Sequence, residues 1–73
     1  MEEFIIRGEY ITLGQLLKVV GAIGSGGEAK PYLEAGGVTV NGEPEARRGR
    51  KLRPGDTVRL ADGRELLMQA STA

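Results

Sequence analysis

Five cations crowd into seven residues at Arg47-Arg48-Gly49-Arg50-Lys51-Leu52-Arg53. Charges of one sign at this spacing repel one another and gain no pairing within the run. The chemistry they could do is phosphate binding: arginine offers a planar fork of donors and lysine a point charge, and both suit the oxygens of a nucleic-acid backbone. The plain alternative is a solvated loop kept soluble by its charge. Acidic residues are common along the rest of the chain yet excluded from this run, which favours the phosphate clamp. If all five cations met single-stranded phosphates, log affinity would fall with log salt at a slope of about −3.5.

The other chemical candidates are weaker. Gly24, Gly26 and Ala29 satisfy a loose dinucleotide-loop pattern, but no strand precedes them and the chain is too short for that fold. The Walker pattern fails because Gly27 stands where its lysine should be. A flexible turn opening a helix is the simpler reading, with exposed amides near Lys30 able to hold one phosphate of a larger ligand. Taken alone, Lys18 and Lys30 read as ordinary solvent-facing helix residues. Glu43 and Glu45 flank Pro44 on an expected exposed edge, where tuning by burial is not expected. Asp56 in Pro54-Gly55-Asp56 reads as a turn-former.

The sequence holds no histidine and no cysteine. Their absence removes the commonest general base, the usual activator of a serine nucleophile, disulfides and thiolate zinc sites. Neither catalysis, a metal nor a cofactor is expected. Net charge is formally zero, but its distribution is uneven. Residues 1–46 carry three cations against seven acids, and residues 47–59 carry six cations against Asp56 alone. A mildly acidic body thus bears one concentrated positive feature, and local field matters more than the sum. The aromatic residues, Phe4, Tyr10 and Tyr32, are scattered. Modules that stack single-stranded bases use a platform of exposed rings, so the scarcity points to folded RNA read by backbone and shape. No run approaches the roughly 18 apolar residues of a membrane span. The acidic start Met1-Glu2-Glu3-Phe4 is opposite to that of a signal peptide, so a cytoplasmic location and no membrane partner are expected.

The elements that must position these residues can be read from periodicity. A chain of 73 residues makes one domain, residues 1–73, with its core within 4–69 and a disordered tail over 70–73. Phe4-Ile5-Ile6 reads as a strand. Thr12 and Gln15 stand in capping-box spacing ahead of Leu13, Leu16, Leu17 and Val20, one apolar helical stripe that leaves Gln15 and Lys18 to water, with Gly21 as the stop. Ser25 and Glu28 suggest a second capping box and a helix to Gly36-Gly37. Pro31 lacks the amide that would bond the Gly27 carbonyl, so a distorted or tightened first turn is expected. Val38-Thr39-Val40 is a strand, Asn41-Gly42 a type I′ hairpin turn, and Glu43-Pro44-Glu45 an edge return. The basic run reads as a loop around Gly49. Pro54-Gly55-Asp56 turns into the strand Thr57–Leu60, and Asp62-Gly63 turns into Glu65–Gln69. The fold class is α+β, a helix pair packed on a small, mostly antiparallel sheet.

Residues 12–60 resemble the RNA-binding domain named after ribosomal protein S-four, and within it the stand-alone bacterial YaaA-type proteins. The resemblance rests on Leu13-Gly14-Gln15-Leu16-Leu17-Lys18, Gly26-Gly27-Glu28-Ala29-Lys30, Gly37-Val38-Thr39-Val40-Asn41-Gly42-Glu43 and Arg47 through Asp56. It implies an L-shaped (αL) surface of two helices and a hairpin that binds structured RNA, plausible partners being ribosomal RNA, the ribosome or an assembly intermediate, with the protein a monomer. Carried over by position, the RNA face comprises Lys18, Lys30, Arg47, Arg48, Arg50, Lys51 and Arg53. The family often has arginines opening the first helix, where this chain has Thr12-Leu13-Gly14, and the second, where it has Ser25-Gly26. Binding is therefore expected to lean on the loop. A second hypothesis is a protein-interaction module docking an acidic partner through the same loop.

Overall fold

The computed structural model describes residues 1–71. In chain order its elements are strand β1 (Glu2–Ile6), strand β2 (Ile11–Thr12), helix α1 (Leu13–Val19), a 3₁₀ turn (Gly26–Glu28), helix α2 (Ala29–Glu34), and strands β3 (Thr39–Val40), β4 (Glu43–Pro44), β5 (Lys51–Leu52), β6 (Thr57–Arg59) and β7 (Glu65–Ala70). Five strands form one sheet in the order β1-β7-β6-β3-β4, and β2 pairs with β5 in a separate two-stranded ladder. All pairings are antiparallel except β1 with β7, which run parallel with Phe4 opposite Met68 and Ile6 opposite Ala70. The α+β class expected from the sequence is the one observed.

Helix α1 forms as its spacing predicts. Thr12 Oγ1 accepts the Gln15 amide and Gln15 Oε1 accepts the Thr12 amide, closing the capping box. Leu13, Leu16 and Leu17 are fully buried, Val20 is half-buried, and Gly21 at φ +80° ends the helix. Both α1 and α2 turn their apolar faces to the sheet. Together with Ile6, Val40, Leu52, Val58, Leu60, Leu66 and Met68 they build a core that contains no buried polar or charged side chain among the described residues.

The second helix departs from expectation at its start. Ser25 does not cap a backbone amide; instead its hydroxyl donates to Glu28 Oε2, and the same oxygen accepts the Gly24 amide. The carboxylate reaches back as expected, but the hydroxyl serves it rather than the helix. The chain enters through the 3₁₀ turn, and Pro31 occupies the third position of α2. The expected tightened first turn is present as this 3₁₀ turn, and Pro31 sits in the first turn of α2, where a missing amide leaves no intrahelical bond unmade.

Asn41 at φ 54° and Gly42 at φ +85° give the type I′ geometry between β3 and β4, and β4 with Pro44 lies on the sheet edge. The disordered tail expected over 70–73 is corrected at its first residue: Ala70 is the last residue of β7, held opposite Ile6, and residues 72–73 lie outside the described residues.

Candidate nucleic-acid interface

The basic loop is docked on the N-terminus of α1 through its backbone. The Leu13 amide donates to the Arg50 carbonyl and the Gly14 amide to the Arg48 carbonyl, each at 2.8 Å. With the capping box, these bonds satisfy all four amides from Thr12 to Gln15, donors that a helix start otherwise leaves orphaned. The helix start is therefore spent on holding the loop, and any anion near it must be met by side chains. The approach is close: a Cβ on Gly14 would lie 3.3 Å from both Cβ and O of Arg48.

Within the loop, the Arg50 amide closes a turn onto the Arg47 carbonyl. Strand β5 then carries Lys51 outward and buries Leu52 completely. That leucine, the apolar residue inside the run, anchors the loop in the core. Its strand partner Ile11 and the pairing of Lys51 with Thr12 fix the register.

Counter-charge comes from just outside the run. Glu45 Oε1 accepts Arg47 at 3.0 Å and Arg50 at 2.9 Å, while Oε2 accepts Arg47 Nε and the Ala46 and Arg47 amides. The expectation that Glu45 sits untuned on an exposed edge is overturned. Its side chain is only 8% exposed, and hydrogen bonds from Arg47, then from the Arg47 amide and Arg50, outweigh desolvation and hold the carboxyl at about 2. The amide of Glu45 donates to the Val38 carbonyl, so the edge hairpin places this carboxylate beneath the loop. Arg47, 75% exposed, still presents itself to solvent, whereas Arg50 is two-thirds covered.

The loop's far end is bolted to the hairpin turn. Asn41 Nδ2 donates to Asp56 Oδ1 at 3.0 Å, Asn41 Oδ1 accepts the Thr57 amide, and Asp56 Oδ2 accepts the Arg53 amide. Partial burial works to raise the Asp56 carboxyl, but the Arg53 amide, the Asn41 carboxamide and the charges of Arg50 and Arg53 keep it below its ordinary value. The Asn-Gly and Pro-Gly-Asp turns, fifteen residues apart from Asn41 to Asp56, are one structural unit.

Two grooves border this framework. One, of about 290 Å³, is lined by Thr12, Gly14, Gln15, Lys18, Gly26, Ala29, Arg48 and Gly49. It brings a helix cation and a loop cation over a floor of small residues, with no acidic side chain in its lining. The other, of about 700 Å³, shares Gln15 and Lys18 and continues over Phe4, Ile5, Arg7, Tyr10, Ile11 and Val19. Lys51 Nζ lies 5.0 Å from the centre of the Tyr10 ring and the Arg53 guanidinium 5.9 Å.

The family model described as S4 domain matches residues 4–67. The chain belongs to the S4 domain family. A curated relative, the probable ribosome maturation protein RlbA of Bacillus subtilis (strain 168), is 56% identical over 55 residues, covering 75% of this chain and 78% of the relative. The family expected from residues 12–60 is therefore the family found, and its match reaches into β1 and β7.

Of the seven cations expected on the S4 domain's RNA face, Lys18 and Arg48 share the small groove, Lys51 and Arg53 sit over Tyr10, and Arg47 and Arg50 share Glu45. Lys30 is exposed on α2 and lines neither groove. Arg7 and Tyr10 are not among the expected residues. In the sequence Tyr10 is one of three scattered rings, because nothing local signals that a two-residue ladder sets it beside a loop some forty residues away.

Proposed function

We propose that this chain binds structured RNA without catalysing a reaction, as a cytoplasmic, ribosome-associated protein acting as a monomer, and that the groove between α1 and the basic loop is its contact surface. The observation that carries this reading is the convergence of Lys18 and Arg48 over Gly14, Gly26, Ala29 and Gly49. Small residues let a sugar-phosphate backbone approach, and the two cations meet its charge from opposite walls. Lys51 and Arg53, which lie over Tyr10, the exposed Arg47 and Lys30 on α2 add to the positive field of the domain. Family membership supports RNA as the ligand, and the likeness to a probable ribosome maturation protein of Bacillus subtilis supports ribosomal RNA as its source.

Arg50 is unsuited to a binding test: a glutamate there would face Glu45 and disturb the fold. The informative variant is Lys18→Glu/Arg48→Glu/Lys51→Glu, whose side chains make no ion pair among the described residues. Its affinity for a structured ribosomal RNA fragment should be lost in a gel shift while its circular dichroism and melting temperature stay near wild type. Unchanged affinity would refute the reading. If instead a nuclease-resistant protein complex forms through the same residues, the loop serves an acidic protein partner.

A further inference from the structure

Exposed apolar surface on this molecule is concentrated in one place. Among the described residues, four large hydrophobic side chains are exposed: Met1, Ile5 (52%), Tyr10 (41%) and Val19 (65%). The last three, carried by β1, the segment before β2 and the end of α1, line the same groove of about 700 Å³. An exposed apolar patch rimmed by polar groups marks an interaction site more often than chance placement does. The rim here is cationic. Arg7 and Lys18 line it, no acidic residue does, and Lys51 and Arg53 stand over the Tyr10 ring.

An occupant that suits this surface must be flat or apolar in one part and anionic in another. A nucleotide is built that way, with a stackable base and a charged phosphate. Position argues for the same choice. Gln15 and Lys18 line both this groove and the small cationic groove, so a strand leaving the second enters the first without a break. Gln15 uses Oε1 to cap Thr12, and its amide nitrogen makes no hydrogen bond within the described residues. That nitrogen is a donor placed between the two grooves.

We propose that the groove bounded by Ile5, Tyr10 and Val19 receives unpaired nucleotides flanking the structured RNA, so that the preferred ligand is a junction between a helix and a single strand. This rests on the RNA-binding reading above and narrows it. Phosphates of the paired part face Lys18 and Arg48, and the first unpaired bases lie against Tyr10 and the apolar walls beside it. Discrimination by base identity is weak in such a site, because every base has a face to stack.

The test uses the full chain and two probes at low salt, where backbone contacts dominate and sequence matters little. One probe is a blunt hairpin RNA; the other is the same hairpin with a short unpaired tail containing 2-aminopurine, made separately with the tail 5′ and 3′. Wild type should bind one tailed hairpin at least about five-fold more tightly than the blunt one, the lower end of what one stacked base contributes. The 2-aminopurine signal should change on binding. Ile5→Ser/Val19→Ser should remove that preference and the signal change while leaving blunt-hairpin affinity intact. Tyr10→Ala should remove both as well and, because Lys51 and Arg53 lie over its ring, should also lower affinity for the blunt hairpin. Equal affinity of wild type for blunt and tailed hairpins would overturn this inference and leave the RNA-binding reading standing. Binding of neither would overturn both. Displacement of neither tail but competition for the groove by an acidic amphipathic peptide would assign the surface to a protein partner and also overturn it.

Discussion

Glu45 shows how much one side chain can change the meaning of a charge run. The sequence presents five cations without a partner, yet a carboxylate two residues upstream binds two of them and orders the turn between. The cations left unpaired among the described residues, Arg48, Lys51 and Arg53, are the ones directed to the grooves or to Tyr10. The carboxyl of Glu45 is lowered from 4.5 to about 2, so its protonation is coupled to folding. A depressed carboxyl contributes stability that is fully present above its unfolded value and is lost as pH falls through the folded one. Melting temperature should therefore decline between about pH 4.5 and 2, and Glu45→Gln should flatten that decline. An equally steep profile in the variant would show that Arg47 and Arg50 do not tie Glu45 to the fold. The run was legible at this scale as cations; the partner was not, because Glu45 sits after a proline on a strand return and nothing in its neighbours signals that it folds beneath the loop.

Elements decide where those side chains point. Helix α1 was legible to the residue, since a capping box, a 3.6-residue apolar stripe and a stop glycine all agree. The β2–β5 ladder was not, because two-residue strands have no period to read, and its long-range pairing exists only once α1 and the sheet are in place. The docking of loop on helix gives a direct test. Gly14→Val places a branched side chain where even a Cβ is in tight contact with Arg48. Two backbone hydrogen bonds worth about 1 kcal/mol each should be lost or weakened, giving a urea-measured destabilisation of about 2 kcal/mol and a fall in RNA affinity. A wild-type denaturation midpoint would contradict the arrangement. Asn41→Ala tests the other end. It removes a residue suited to positive φ and cuts the hydrogen bonds to Asp56 and Thr57, so it should cost about 1–3 kcal/mol by the same measurement. A change within about 0.5 kcal/mol would mean that the two turns are independent.

At the scale of the whole molecule, a small core must hold a large proportion of surface. Domains of this size bury only about 60% of the surface their unfolded chains expose. Each buried leucine therefore carries an unusual share of the stability. Leu16, with no exposed surface, lies between the helix pair and the sheet, and Leu16→Ala should cost about 2.7–5 kcal/mol, enough to leave much of the population unfolded at 37 °C. A cooperative melt within a few degrees of wild type would show the core to be more tolerant than its packing implies. The fold class followed from strand and helix patterns, and the motif order led to the family. The parallel pairing of β1 with β7 was hidden, since the two strands are separated by nearly the whole chain and either sheet edge would have buried Phe4 and Ile6. That pairing also sets β1 beside α1 and so creates the larger groove.

In the proposed complex Lys18, Arg48 and Lys51 meet RNA phosphates while the fold holds them in place. The salt dependence of binding tests it most directly, because it counts phosphate contacts. Affinity for a structured ribosomal RNA fragment should be measured over a range of salt for wild type and for Lys18→Gln/Arg48→Gln/Lys51→Gln. If each cation meets one phosphate of paired RNA, the slope of log affinity against log salt should become shallower by about 0.9 per residue, about 2.7 in all. An unchanged slope, with affinity lost or not, would show that these three cations do not meet RNA phosphates.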